Sequence, residues 1–381
     1  MDILNEKEAF CFLKSLKGFL PPTIDILFEH FNSYSVAVKA DASEIEQLLS
    51  RELSTLLLNT REQKGIHYAY NDLTSKNMDV HLQADTSYPN KLRTIPDAPA
   101  AIFSLGRLPN PELPSVAIIG ARNCSAYGSD IAQKYAKSLA ECGIQVISGM
   151  ARGIDGIAQK TALYNGGYSC GILGCGVDIC YPREHKELYE DLKIHGGLVS
   201  EYYPGTMPLP QFFPARNRII SGLCDALLVI EAKAKSGTII TVNTALEQNR
   251  DIYALPGRIT DELSYGCNML IRDGAIPLLN PDDFLRTFLE AKGYTYNPAN
   301  QTSKSSKTNN KTILPSMSLT AEEKAIISAL DYTPKTIDEI FTAVCRISNM
   351  TLPSIMATLT GLVIKKQIGC VNGSNYYLEH M

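Results

Sequence analysis

Between positions 116 and 257 the chain alternates short, almost wholly apolar runs with helix-length stretches, and this pattern constrains the fold more than any other feature. The runs fall at 116–120, 144–149, 168–174, 196–201, 226–232 and 251–257. Between them the spacing predicts helices near 128–142, 153–165, 184–195, 215–222 and 238–249. Strands that are apolar on both faces and alternate with helices imply a parallel sheet covered on each side. The fold class is therefore α/β, a doubly wound Rossmann-like sheet.

The flanks have a different texture. At 381 residues the chain has room for about two or three domains. Residues 1–80 read as a helical domain: Phe10, Leu13, Leu16 and Leu27, Phe28, Phe31 recur at helical spacing, and Pro21-Pro22 separates two helices. A proline-rich collar, 88–114, leads into the sheet domain, expected over 81–295. Residues 296–317 are mostly Asn, Ser, Thr and Lys, too polar to offset their ordering entropy, and read as a flexible linker whose Lys304, Lys307 and Lys311 are unopposed by acids. Over 318–381 three helical stretches, opened by Thr320…Glu323, by Thr336 and by Leu352, precede a hairpin pattern around Asn372-Gly373. That order predicts a winged helix, with little charge on its third helix before Lys365-Lys366.

Ligands of a doubly wound sheet bind at the strand ends. Here those ends are rich in glycine and arginine: Gly120-Ala-Arg122, then Ser148-Gly149 through Arg152-Gly153, then Gly174-Cys-Gly176 leading to Tyr181-Pro-Arg183, and Ser236-Gly237-Thr238. Glycines let backbone N–H groups approach a phosphate, and helix N-termini add partial positive charge. A dinucleotide fingerprint is missing, since Ile179 stands where the third glycine belongs after Gly174 and Gly176. No P-loop and no G-x-S-x-G elbow occurs, so neither NAD nor ATP nor any other cofactor is expected. Phe212-Phe213-Pro-Ala-Arg216-Asn217-Arg218 is open to two readings: phosphate forks beside a stacking ring, or helix packing with Arg216 held by an internal carboxylate.

Ten scattered cysteines include no C-x-x-C pair, which argues for free thiols and no metal. No apolar run approaches the roughly 20 residues of a membrane span, and Asp2 and Glu6 do not resemble a secretory leader. A cytoplasmic protein is expected. The net charge of −4 is mildly adverse to nucleic acid, but phosphate binding needs only a local basic patch.

Several phrases together resemble the DprA/Smf family: YPNKLRTIPDAPAAIFSLGRL (88–108), VAIIGARNCSAYG (116–128), ISGMARGIDGIAQKTAL (147–163), GILGCGVDICYPREHKEL (171–188), the FPARNRIISG block within 200–232, SGTIITVNTALEQNRDIYALPG (236–257) and GCNMLIRDGA (266–275). The resemblance implies an extended Rossmann-like domain between a small helical (SAM or helix-hairpin-helix-like) domain and a winged helix. It implies a homodimer that binds single-stranded DNA without catalysis and helps load RecA during natural transformation. Arg122 matches the family's DNA-contacting arginine, and Arg183 falls where a basic residue usually follows Tyr-Pro. The expected DNA set is Gly120, Arg122, Ser148, Gly149, Arg152, Gly153, Gly174, Gly176, Arg183, Phe213, Arg216, Asn217, Arg218, Ser236, Gly237 and Thr238. The expected dimer contact is Leu270, Ile271, Ile276 and Leu278, which could equally close the sheet edge. The chain departs from the family at Gly18-Phe19-Leu20, where G-I-G is usual. A distant likeness to phosphoribohydrolases offers a rival enzymatic reading, but Ile239-Ile240 follow Gly237-Thr238 where that family's catalytic glutamates begin. Glu231 and Asp155, the remaining candidate acids, are expected to partner arginines.

If 296–317 is a linker, brief proteolysis cuts there first and leaves a stable fragment ending near residue 295. A first cut within 116–279 contradicts the domain order.

Overall fold

The structure, a computed structural model, describes residues 4–294, 321–330, 335–344, 350–364, 368–371 and 375–378. The expected linker, Thr320, Lys365-Lys366 and the Asn372-Gly373 turn lie outside the described residues. The chain divides into two compact units, Met1–Gln301 and Thr302–Met381.

The first unit opens with α1 (Glu6–Ser15), α2 (Pro21–Phe31), α3 (Tyr34–Lys39), α4 (Ala42–Leu48), α5 (Arg51–Lys64) and α6 (Tyr68–Ser75). Local chemistry sets these starts. Asn5 and Glu8 exchange side-chain-to-backbone hydrogen bonds at the head of α1, and Ser33 and Ser50 cap α3 and α5. Next come β1 (Met78–Leu82), α7 (Asn90–Arg93), β2 (Ala101–Gly106), β3 (Ser115–Ile119), α8 (Ala126–Glu141), β4 (Gln145–Ser148), α9 (Ile154–Tyr164) and β5 (Ser169–Ile172). The unit closes with α10 (Lys186–His195), β6 (Gly197–Ser200), α11 (Phe212–Gly222), β7 (Ala226–Val229), α12 (Gly237–Glu247), β8 (Asp251–Ala254), α13 (Glu262–Arg272), β9 (Ile276–Pro277) and α14 (Pro281–Ala291).

The strands form one sheet in the order β1-β2-β6-β5-β4-β3-β7-β8-β9. It is parallel from β6 to β9, and β1 and β2 add an antiparallel edge. The order reverses beside β3, which has β4 on one side and β7 on the other. The expected boundary at residue 80 falls inside β1, and the helical layer shares a core with the sheet: Phe10, Leu13, Leu27 and Leu57 pack with Met78, Val80 and Phe103.

Leu278 faces the interior with Phe284 and Phe288, because its N–H continues the β8 register by donating to Ala254 O at 2.9 Å. Of the expected dimer cluster, Leu270 and Ile271 pack partly on the sheet core and Ile276 stays exposed, so the four do not form one surface patch. No helix among the described residues is long and apolar enough to cross a membrane.

The second unit contains α15 (Ala321–Ala329), β10 (Lys335–Thr336), α16 (Ile337–Val344), α17 (Leu352–Ile364), β11 (Ile368–Val371) and β12 (Asn375–Leu378). Its strands pair antiparallel in the order β10-β12-β11, and Ile326, Ile340, Ile355, Leu359 and Leu362 form its core.

Asp225, at the entrance to β7, ties three elements of the first unit together. Its carboxylate accepts from Lys91 Nζ at 2.5 Å, the Ser115 N–H at 2.9 Å and Lys292 Nζ at 3.1 Å. Burial pushes this carboxyl up, but the donors outweigh burial and leave it below its usual value of 3.8. A carboxyl depressed by folding contributes stability above the unfolded value and loses that contribution as pH falls through the folded one. In urea titrations Asp225→Asn should therefore destabilise at neutral pH and flatten the loss of stability below about pH 4. An acid limb as steep as the parent's contradicts the assignment.

Candidate nucleic-acid interface at the strand ends

The reversal of strand order leaves a crevice at the C-terminal ends of β3 and β7. A pocket of about 600 Å³ opens there. Gly120, Arg122, Phe213, Arg216, Asn217, Ser236, Gly237 and Thr238 from the expected set all line it.

Close packing at the strand ends explains two of the glycines. A Cβ on Gly120 would stand 2.7 Å from the Ile154 side chain. Gly153, at φ +69°, takes a backbone shape that L side chains rarely adopt, pressed against the carbonyls of Ala121 and Arg122. Gly237 is different: nothing lies within 4 Å of where its Cβ would be, so the start of α12 is open. The loop carrying Arg122 is anchored by the buried Glu231, which accepts from the Ser125 N–H at 2.9 Å and from the Ser125 hydroxyl. Glu231 thus partners a serine rather than an arginine.

Arg122 is exposed and makes no ion pair among the described residues, with its guanidinium 6.0 Å from the centre of the Phe213 ring. Tyr181 flanks the same ring at 5.4 Å. Lys233, which borders the pocket and pairs with Glu262 at 2.8 Å, was not singled out from sequence, although its place just after β7 and before Ser236-Gly237 was the available signal.

Arg216 is buried, 4% exposed. Its Nη1 donates to the carbonyls of Gly149, at 2.5 Å, and Ile172. Burial pulls its pKa down to about 10, opposed chiefly by Asp155 beneath it. Asp155 accepts from the Gly149 N–H at 3.1 Å, and burial raises its carboxyl against the pull of Arg216. The packing reading of Arg216 is therefore the one realised, even though the side chain borders the pocket. Among the described residues, two buried polar atoms on the pocket wall have no hydrogen-bond partner: Arg216 Nε and Ser236 Oγ.

The remaining expected residues lie outside the pocket lining. Arg218 forms a fork with Glu201, at 2.8 and 2.9 Å, and donates to Asp97 O. Arg152 pairs with Glu184. Ser148 Oγ is spent on Ile118 O, the Gly149 N–H on Asp155 and the Gly176 N–H on Thr206 O. Gly174 is buried, with room for no more than the Phe213 ring 3.0 Å from its Cβ position. Arg183 is exposed on a short 3-10 turn.

A mixed, mostly parallel sheet with a glycine- and arginine-lined crevice at its switch point defines an α/β protein of the doubly wound, Rossmann-like class. Residues 79–289 match the profile of the family described as DNA recombination-mediator protein A. The chain belongs to this DprA/Smf family of DNA-processing proteins. DNA processing protein DprA of Streptococcus pneumoniae is 43% identical over 204 residues, covering 54% of this chain and 72% of that protein. Protein Smf of Synechocystis is 33% identical over 288 residues, covering 74% and 72%. Among solved structures, DNA processing protein A from S. pneumoniae superposes with a TM-score of 0.62 at 34% identity, over 75% of this chain and 98% of that one. DNA processing protein A from Helicobacter pylori, described for its single-stranded DNA binding mode, gives 0.52 at 28%, over 56% and 96%.

Removing Arg216 strands a buried carboxylate and two carbonyls, whereas Arg122 is a solvated side chain. In urea unfolding Arg216→Ala should cost about 3–5 kcal/mol and Arg122→Ala within about 0.5 kcal/mol. Equal effects contradict the division of roles.

Proposed function

We propose that this protein binds single-stranded DNA in the strand-end pocket, without sequence preference and without catalysis. The observation that carries this reading is the exposed, unpaired Arg122 beside the Phe213 ring and the open N-terminus of α12. A guanidinium and backbone N–H groups take phosphate oxygens, and the ring offers a face on which any base can stack. None of these groups is a dedicated reader of base edges, so recognition follows the backbone. The binding mode described for the H. pylori relative supports the same ligand class.

In this reading the protein acts in the cytoplasm as a homodimer that helps load RecA during DNA uptake and recombination. The second unit is a winged helix in a protein-contact role, and α1–α6 form a SAM-like packing domain. The exposed Ile276 leaves part of the expected dimer surface available.

Binding of oligo-dT followed by fluorescence anisotropy across a salt series tests the pocket. Arg122→Ala should weaken binding to all sequences alike and flatten the salt slope by about 0.7, the contribution of one phosphate contact on a single strand. Unchanged affinity and slope in a normally folded variant would rule this pocket out.

A further inference from the structure

A second cavity, of about 560 Å³, opens between α1–α3 and the antiparallel edge of the sheet. It shares no lining residue with the strand-end pocket and falls in the size range of small-molecule sites, about 300–1,000 Å³. One wall is aromatic. Tyr34 stacks obliquely on Phe28 at 4.7 Å and meets Phe10 edge-on at 5.1 Å, and Phe28 remains 38% exposed.

The polar lining has five carboxylates against two cations, so a polyanionic strand is repelled. Most of these charges are already matched. Glu6 accepts from Ser33 Oγ, the Tyr34 N–H and the Ser35 N–H at 2.6–3.1 Å. Asp85 accepts from the Leu82 N–H and Lys7, and Glu201 holds Arg218. Asp97 is exposed at the rim.

Like the rim carboxylate of Asp97, the charged groups of Lys14 and Asp25 are unmatched. Among the described residues neither side chain makes a hydrogen bond or ion pair. Each nevertheless feels the other's charge: burial lowers the Lys14 ammonium against the pull of Glu201 and Asp25, while burial and Glu29 raise the Asp25 carboxyl against the pull of Lys14. Two opposite charges thus border one cavity without touching, beside an open aromatic face. A ligand with only a cation leaves Lys14 unmatched, and one with only an anion leaves Asp25 unmatched. A ligand with both heads satisfies the two at once, and each such charge-assisted bond is stronger than a neutral one.

We propose that this cavity binds a small zwitterion, an α-amino acid with an apolar side chain, its carboxylate on Lys14, its ammonium on Asp25 and its side chain against Phe28.

Calorimetry and thermal shift on the full chain, with L-phenylalanine and L-leucine set against phenethylamine and 3-phenylpropionate, test this. The amino acids should raise the melting temperature at about 10 mM, ten times a Kd near 1 mM, and the single-headed analogues should not. Lys14→Gln and Asp25→Asn should each weaken binding at least about tenfold and leave oligo-dT affinity unchanged. Asp25 is exposed, so Asp25→Asn decides the matter if Lys14→Gln fails to fold. No shift with either amino acid, equal binding of the amine alone, or undiminished affinity in Asp25→Asn overturns the proposal.

Discussion

A guanidinium that water barely reaches holds the strand ends in place. Arg216 comes from α11, yet its hydrogen bonds go to the carbonyls that end β4 and β5. Burying such a cation is costly unless its partners are fixed, and Asp155 and the two carbonyls supply that fixity. Its neighbours are shaped accordingly: a Cβ on Gly149 would stand 2.5 Å from Arg216 Nη1, so the backbone there must be bare. The wall that Arg216 presents to the pocket is rigid because its inner side is committed to structure. Arg122, carried on the loop anchored by Glu231, keeps its own guanidinium in solvent.

The parallel part of the sheet was legible because its strands are buried on both faces and read as unbroken apolar runs. The antiparallel edge was not. β1 carries Asp79 and His81 between Met78, Val80 and Leu82, an alternation too short to stand out after a helical region. β2 is apolar but sits inside the proline-rich collar, where prolines on both sides mask a strand of six residues.

The site shows the same limit at the level of single residues. Arg216 and Arg218 look like a pair in sequence, but residues two apart on a helix do not share a face. One turns inward to Gly149 and the other reaches Glu201. The glycines divide likewise: Gly237 has open space beside it, while the N–H groups of Gly149 and Gly176 are consumed within the fold. Composition showed which residue types gather at the strand ends. Which of them retain unspent donors follows only from the three-dimensional accounting of partners.

The last strand of the sheet has a consequence for how copies of this chain can meet. β9 is two residues long, and its second residue, Pro277, has no N–H to offer. A strand edge so brief and lacking a donor cannot template a continuous ladder across two molecules. On this side, then, a contact between copies would rest on side chains such as the exposed Ile276 and Leu279, with surface shape rather than backbone pairing setting its specificity. The same bluntness guards a nine-stranded sheet against open-ended polymerisation along that edge.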